Sequence, residues 1–549
     1  MTGQHQPTSS PAARRPARVA FVGAGPGDRA LLTVAAVDLL AQADAVITDA
    51  LTSADLVADL TRDDVEVVDA SHGEHGRELT HASRAKLVVK TAKAHRGGLV
   101  VRLMDGDPAI FNGLAEEAAA LAKADVEFDV VPGVSAVSAV PAYAGVPISS
   151  SSVSAVHVID AARGSRVDLA GSVADDVTVV VMGLPEQLRP VVVGLREAGR
   201  PADTPVALTQ GGTTTGQVTR TTTLGEVEDA VEGLEVPTLA VVGPTVGLRD
   251  RLSWYESKPL FGWRVLVPRT KEQSSAMQAR LVHHGATSEV VPTISVEPPR
   301  TPQAMERAVR GLVTGRYEWI GFTSVNAVKA VREKFEEFGL DARAFSGLKV
   351  AAVGGVTADA LRDWGIEPDL VPTGESSARG LLEDWPPYDD VLDPINRVFL
   401  PRADIATDTL VAGLQQSGWE VDDVTAYRTV RAAPPAAPIR DALKQGGFDA
   451  VVFTSSSTVR NLVGIAGKPH ADTVIACIGQ ATARTAEEAG LRVDVVAPHA
   501  DAVSLVDALA DHGRELLAAA VGSGEEVQRP SERRKSASSR KSSSRRSAT

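Results

Sequence analysis

The loop Gly23-Ala24-Gly25-Pro26-Gly27-Asp28 follows the run RVAFV and precedes an amphipathic stretch, a placement that brings bare backbone up to a ligand. Its third glycine is out of place for a G-x-G-x-x-G fingerprint, and Pro26 removes an N–H that a pyrophosphate would use. The loop therefore suits an adenosine-type ligand without a pyrophosphate. Asp49, at the end of the next strand, keeps a nicotinamide cofactor open as a ribose-binding carboxylate; its bland role is a cap or turn. Further on, Thr323, Ser324 and Asn326, Ser455 and Ser456, and Thr357 and Thr482 fall at predicted helix starts, where free N–H groups and hydroxyls can bind carboxylates. Each of these alone also reads as a helix cap. Arg402 can grip a carboxylate with two parallel hydrogen bonds, or sit in a surface ion pair.

The elements that must position these residues alternate short β-branched runs with amphipathic stretches, so the fold class is α/β. The pattern is interrupted at KPLFGW, which places a domain boundary near Lys258. Beyond it lies an internal duplication. RVLVPRT at 264–270 recurs as RVFLPRA at 397–403, YEWIGFTSVNAV at 317–328 as FDAVVFTSSSTV at 448–459, and the segment from Val350 as the one from Ile475, at offsets of 133, 131 and 125 residues. Two similar α/β units, about 264–371 and 397–496, are expected, with polar clusters at the carboxyl ends of strands, where open α/β sheets bind ligands. The predicted organisation is a disordered 1–17, a first domain over 18–257, a duplicated domain over 258–515 and a disordered basic tail over 522–549.

A chain of 549 residues implies three or four folding units at roughly 150 residues each. No run of 18 to 20 apolar residues and no apolar leader is visible, so neither a membrane span nor a signal peptide is expected. The lone Cys477, inside VIACIG, excludes an intrachain disulfide and a multi-cysteine metal site, and points to a core residue in a reducing cytoplasm. The net charge of −14 conceals a tail from Arg529 that holds eight Lys and Arg against one Glu, so the rest of the chain carries −21. Nucleic acid is therefore not expected as a partner.

The segments VGAGPGDRALLT, ADAVITDALTS, VVRLMDGDPAIF, VVPGVSAVSAVPAYAGVP, VVMGL, TPVALTQGGTTTGQ and LAVVGPTVGLRDRLSWYE resemble, in order, the motifs of uroporphyrinogen-III C-methyltransferases. That family moves methyl groups from S-adenosylmethionine onto uroporphyrinogen III to give precorrin-2, and it commonly dimerises. The resemblance implies a two-lobed tetrapyrrole-methyltransferase-like domain. It also implies a cofactor held by Pro26, Asp105, Gly106, Asp107, Ile110, Ser135, Ala136, Met182 and Gly212, with the family's catalytic Asp at Asp49. Basic positions depart from the family. Its GKRAG aligns with Asp69-Ala70-Ser71-His72-Gly73, its THR with Ser149-Ser150-Ser151, and its FGRGGEE with FNGLAEEA. Arg77, Arg84 and Arg102 are the candidates to replace the missing cations.

Residues 264 to about 512 resemble uroporphyrinogen-III synthase through the FTSVNAV and FTSSSTV junctions, VGGVTA and IGQATA, RVFLPRADIATDTL and VTAYRTV. This resemblance implies two flavodoxin-like domains facing a cleft, closure of hydroxymethylbilane to uroporphyrinogen III with inversion of ring D, and no cofactor. Tyr427 matches the family's recurrent tyrosine, which can protonate the departing hydroxyl; its bland role is packing. The expected function is a tetrapyrrole-biosynthesis fusion with impaired methylation and small-molecule tetrapyrrole partners. The alternatives are a synthase carrying a non-catalytic S-adenosylmethionine-sensing domain, and a nicotinamide-dependent oxidoreductase of the same pathway.

Overall fold

The computed structural model describes residues 16–49, 54–72, 79–234, 238–524 and 527–533. These divide between two compact units, one within 1–264, 279–287 and 510–527, the other within 265–278, 288–509 and 528–549. The expected disorder of 1–15 and 534–549 lies outside the described residues. Residues 527–533, expected to belong to a disordered tail, are instead held: the Ser531 N–H donates to Asp449 Oδ1 at 2.9 Å, and Arg529 pairs with Glu532.

The first unit carries two five-stranded sheets. One contains β1 (Arg18–Gly23), β2 (Ala45–Thr48), β3 (Glu66–Asp69), β4 (Leu99–Met104) and β5 (Phe128–Val131), in the order β3-β2-β4-β1-β5, all parallel. Its central strands read as near-continuous apolar runs because helices cover both faces. The other contains β6 (Ala155–Asp160), β7 (Val177–Gly183), β8 (Pro205–Gln210), β9 (Val218–Thr223) and β10 (Thr238–Val242), in the mixed order β6-β7-β10-β8-β9.

The second unit also carries two sheets. β11 (Arg264–Val267) and β12 (Thr287–Val290) join β18 (Ala450–Phe453), β19 (Val474–Cys477) and β20 (Val495–Val496) in the order β12-β11-β18-β19-β20. In chain order this is 2-1-3-4-5, the flavodoxin-like arrangement. β13 (Ile294–Glu297), β14 (Trp319–Phe322), β15 (Lys349–Ala352), β16 (Arg397–Ala403) and β17 (Glu420–Arg431) form β13-β17-β16-β14-β15.

The repeat boundaries expected from the sequence differ from these bodies. Neither 264–371 nor 397–496 makes a sheet of its own. β11 of the first repeat pairs with β18 of the second, and β14 of the first pairs with β16 of the second. After β12 the chain does not return to its own sheet; it continues as β13, antiparallel to the end of β17, with Ile294 opposite Arg431. Each sheet therefore takes strands from both repeats. Leu370, which bridges to Ala351 beside β15, stands where β20 stands beside β19, so the strand orders correspond.

Candidate functional site

In the first unit, three loops from the carboxyl edge of the parallel sheet meet through backbone. Gly25 and Gly106 exchange hydrogen bonds, Gly25 N–H to Gly106 O at 3.2 Å and Gly106 N–H to Gly25 O at 2.9 Å. A Cβ on Gly23 would lie 2.5 Å from Gly133 Cα, and one on Gly133 would lie 2.2 Å from Gly106 O, so only glycine permits this approach. Asp107 ties the turn together, accepting from Gly133 N–H at 3.0 Å and Ala109 N–H at 2.8 Å. The Asn112 side chain donates to the Asp105 and Asp107 carbonyls, and Ile110 N–H to Asp107 O. Ser135 caps the helix Ala136–Tyr143 by accepting from Val137 N–H. Ala136 and Met182 flank one apolar cluster that includes Val140. A Cβ on Gly212 would strike Val140 at 2.5 Å. Pro26, Asp105, Gly106, Asp107, Ile110, Ser135, Ala136, Met182 and Gly212 are thus brought to one neighbourhood of bare backbone beside an apolar wall, which fits an adenosine-type sulfonium ligand.

Sequence reasoning missed the network behind these loops. Thr213 has a φ of +66° although it is β-branched and buried. It is held there by three bonds: its hydroxyl accepts from Asp28 N–H at 3.1 Å, its N–H donates to Gln217 at 2.8 Å, and its carbonyl accepts from the Tyr255 hydroxyl at 3.0 Å. The Tyr143 hydroxyl donates to Asp28 at 2.9 Å; burial and that carboxylate both push its pKa up. Gln217 and Thr219 donate to Glu256, which also pairs with Arg249 at 2.5 Å. Asp28, Thr213, Tyr143, Gln217 and Glu256 come together from distant parts of the chain, so no spacing signals the network.

Asp49 sits in a buried charge cluster. Arg102 Nη2 donates to Asp49 Oδ1 at 2.7 Å, and Arg102 Nε and Nη2 donate to the two oxygens of Glu117 at 2.9 and 3.2 Å. The side chains of Arg102 and Glu117 are 0 % exposed. Burial works against the charge on Arg102, but the two carboxylates outweigh it and raise the pKa. Arg102 is therefore corrected as a replacement substrate cation: its guanidinium is committed inside the protein. A charged residue in the apolar run VVRLM was the available signal. Arg84 donates to the Ala70 carbonyl at 3.0 Å, and Arg77 lies outside the described residues. Ala70 is buried, and the Ser71 hydroxyl is bound to Asp69 and 2.9 Å from His72 Nδ1.

In the second unit the expected residues fall on the carboxyl edges of both sheets. Ser324 caps the helix Val325–Glu337 by accepting from Ala327 N–H at 3.1 Å, and its hydroxyl shares a hydrogen bond of 2.9 Å with the Tyr427 hydroxyl on β17. Thr323 and Asn326 flank Ser324, half-buried. Arg402 is only 5 % exposed, and Asp423 occupies its fork, with Nε to Oδ1 at 2.7 Å; Nη1 donates to Thr407 O at 2.6 Å. The expected surface ion pair is thus corrected to a buried one, with Asp423 where a ligand carboxylate was the other reading. On the other sheet Ser455 caps the helix Ser456–Ala466, while Ser456 donates to Ala481 O and accepts from Thr485. Thr357 and Thr482 lie in the first turns of the helices Gly355–Arg362 and Gln480–Glu488, 5 % and 4 % exposed. Cys477 is buried in β19, and burial pushes its thiol up to about 12. Among the described residues no group of His, Cys, Asp and Glu could hold a metal ion, and no helix is long and apolar enough to cross a membrane.

A family model for tetrapyrrole (corrin/porphyrin) methylases matches residues 18–228, and one for uroporphyrinogen-III synthase HemD matches 275–507. The chain is similar to the porphyrin biosynthesis protein HemD of Ruminiclostridium josui, 30 % identical over 510 residues, covering 90 % of this chain and 98 % of that protein. It is 38 % identical over 244 residues to the siroheme synthase of Psychromonas ingrahamii, covering 44 % of this chain and 51 % of that one, so it spans about half that relative's length. A uroporphyrin-III C-methyltransferase from Thermus thermophilus, solved in complex with S-adenyl homocysteine, is 28 % identical, with 42 % of this chain and 93 % of that chain covered and a TM-score of 0.35.

Proposed function

The chain belongs to the family of the porphyrin biosynthesis protein HemD, with a tetrapyrrole methylase part followed by a uroporphyrinogen-III synthase part, and from that premise we propose that it closes hydroxymethylbilane to uroporphyrinogen III with inversion of ring D, and that it binds S-adenosylmethionine. The junction between the two activities is placed near Lys258, and the compartment is the cytoplasm. The family match leaves the nicotinamide alternative without support.

The observation that carries the synthase reading is the hydrogen bond between Tyr427 and Ser324, 103 positions apart, at the carboxyl edge of the β17-β16-β14 sheet. Loss of the bilane's hydroxyl leaves an azafulvene cation, so the protein's work is to position the chain and to supply a proton where the hydroxyl departs. Tyr427 can donate that proton while Ser324 holds its hydroxyl in place. Thr323, Asn326, Thr357, Ser455, Ser456 and Thr482 are assigned to the substrate's carboxylates, through hydroxyls and helix-start N–H groups. The test is to feed the full chain hydroxymethylbilane and separate the isomers: type III is expected, and only the uncatalysed type I would defeat the reading.

In the first unit, Pro26, the Asp105-Gly106-Asp107 turn, Ile110, Ser135, Ala136, Met182 and Gly212 would hold S-adenosylmethionine, which when bound supplies a methyl group. Asp49, oriented by Arg102, is the residue assigned to catalysis. The commitment of Arg102 to Asp49 and Glu117 favours the second reading, in which this domain binds the cofactor and methylates weakly or not at all. An octacarboxylate needs cations, and Ala70, Ser71 and the serines at 149–151 supply none. Incubation with uroporphyrinogen III and labelled S-adenosylmethionine under anaerobic conditions separates the readings: bound cofactor with little precorrin-2 is expected, and many turnovers per minute would overturn the impairment.

A further inference from the structure

The duplicated motifs RVLVPRT and RVFLPRA place Arg269 and Arg402 at the same position, at the carboxyl edge of β11 and β16 respectively. The two arginines live differently. Arg402 is buried, with Asp423 in its fork. The offset of 133 residues that relates the motifs maps Asp423 onto Val290 at the end of β12, so the β12-β11 sheet has a valine where the β17-β16 sheet has the counter-charge. The mapping follows the strand pairing: Leu400 lies opposite Asp423 on β16 and β17, and Val291 N–H donates to the carbonyl of Val267, the residue equivalent to Leu400.

Arg269 is half-buried, and its side chain makes no ion pair or hydrogen bond with the described residues; its backbone N–H bonds to Val267 O at 2.9 Å. Burial alone acts on its guanidinium and pulls the pKa down, with no carboxylate opposing it. A guanidinium stays charged in a protein. Partial desolvation of an unpaired cation is unfavourable until an anion completes it. The neighbouring strand β18 is in register through Leu266 and Val451; continued past the strand ends, that register sets Arg269 beside Thr454, at the edge that carries Ser455 and Ser456. A planar fork with no acid partner among the described residues matches a carboxylate through two parallel hydrogen bonds.

We propose that Arg269, not its duplicate Arg402, is the arginine that binds a carboxylate of the tetrapyrrole substrate, so that only one of the two duplicated sheets grips the substrate through an arginine. This rests on the synthase reading given above.

Two measurements on the full chain test it. Phenylglyoxal modification is followed by mass spectrometry, with uroporphyrin III as the polycarboxylate probe. Arg269 is expected to be modified in the free protein and protected about tenfold or more by the probe, while Arg402 resists throughout. Equal modification with and without the probe, or no modification of Arg269 in the free protein, overturns the proposal. In ring closure, Arg269→Gln is expected to raise KM about 10- to 100-fold with little change in kcat, and Arg269→Lys to recover part of it. Val290→Asp, which restores the acid found beside Arg402, is expected to capture Arg269 and reproduce the Gln variant. An unchanged KM in Arg269→Gln also overturns the proposal. If the wild-type chain makes no type III isomer, the synthase reading fails, and the modification experiment alone decides what Arg269 binds.

Discussion

The two sheets of the second unit share a strand order and a set of motifs, yet treat equivalent polar positions oppositely. On the β17-β16-β14-β15 sheet, Arg402 is neutralised by Asp423, and Tyr427 is joined to Ser324. On the β12-β11-β18-β19-β20 sheet, Val290 stands where Asp423 would be, the match of Tyr427 is Ile294, which has already left that sheet for β13, and Arg269 has no acid partner among the described residues. Duplication supplies one scaffold twice, and a few substitutions set the edges apart: a tyrosine–serine hydrogen bond on one, an arginine with no acid partner among the described residues on the other. If the chain closes a linear bilane as proposed, two substrate ends that must be told apart are better served by unlike edges than by identical ones.

The largest effect should come from the edge that holds the tyrosine. Tyr427→Phe is expected to slow ring closure by about 10² to 10⁴ without lowering the melting temperature; an unchanged rate would reduce Tyr427 to packing and make the two edges equivalent. Next, the arginines should separate in stability. Arg402→Leu abandons Asp423 and the Thr407 carbonyl and is expected to cost about 2 kcal/mol in denaturant unfolding, since Asp423 is partly solvated. Arg269→Leu should stay within about 0.5 kcal/mol of wild type, and equal losses would erase the distinction. The capping serines sharpen it further: Ser324→Ala and Ser455→Ala should each cost about 1 kcal/mol, but Ser324→Ala should lower kcat for ring closure, because its hydroxyl touches Tyr427, whereas Ser455→Ala should act on KM alone.

The smallest expected effect concerns Cys477, whose duplicate is Ala352. Its thiol is raised to about 12 in the folded protein by burial. A raised acid contributes its full stability below the unfolded pKa, about 8.5, and loses it as pH climbs toward the folded value. At pH 9 the loss is under about 1 kcal/mol, and Cys477→Ala should flatten that alkaline decline. Rapid alkylation of the native thiol at pH 9 would contradict the burial.

Local and repeated features were legible in the amino-acid order alone. The α/β alternation follows from apolar period. The glycine loop at 23–27 follows from its flanking strand and helix, and the duplication follows from three matching segments in one order. Each of these depends on residues close in sequence or on direct comparison of two strings. What only the tertiary structure decided are the pairings between distant residues: that β11 completes a sheet with β18 and not with β14, that Arg102 is consumed between Asp49 and Glu117, that Thr213 is held in a left-handed backbone by Asp28 and Tyr255, and that Arg402 is occupied while Arg269 has no partner among the described residues. A hydrogen bond or an ion pair forms wherever the folded chain brings two groups within reach, and separations of 53 residues for Asp49 and Arg102, or 103 for Ser324 and Tyr427, leave no periodic trace in the sequence.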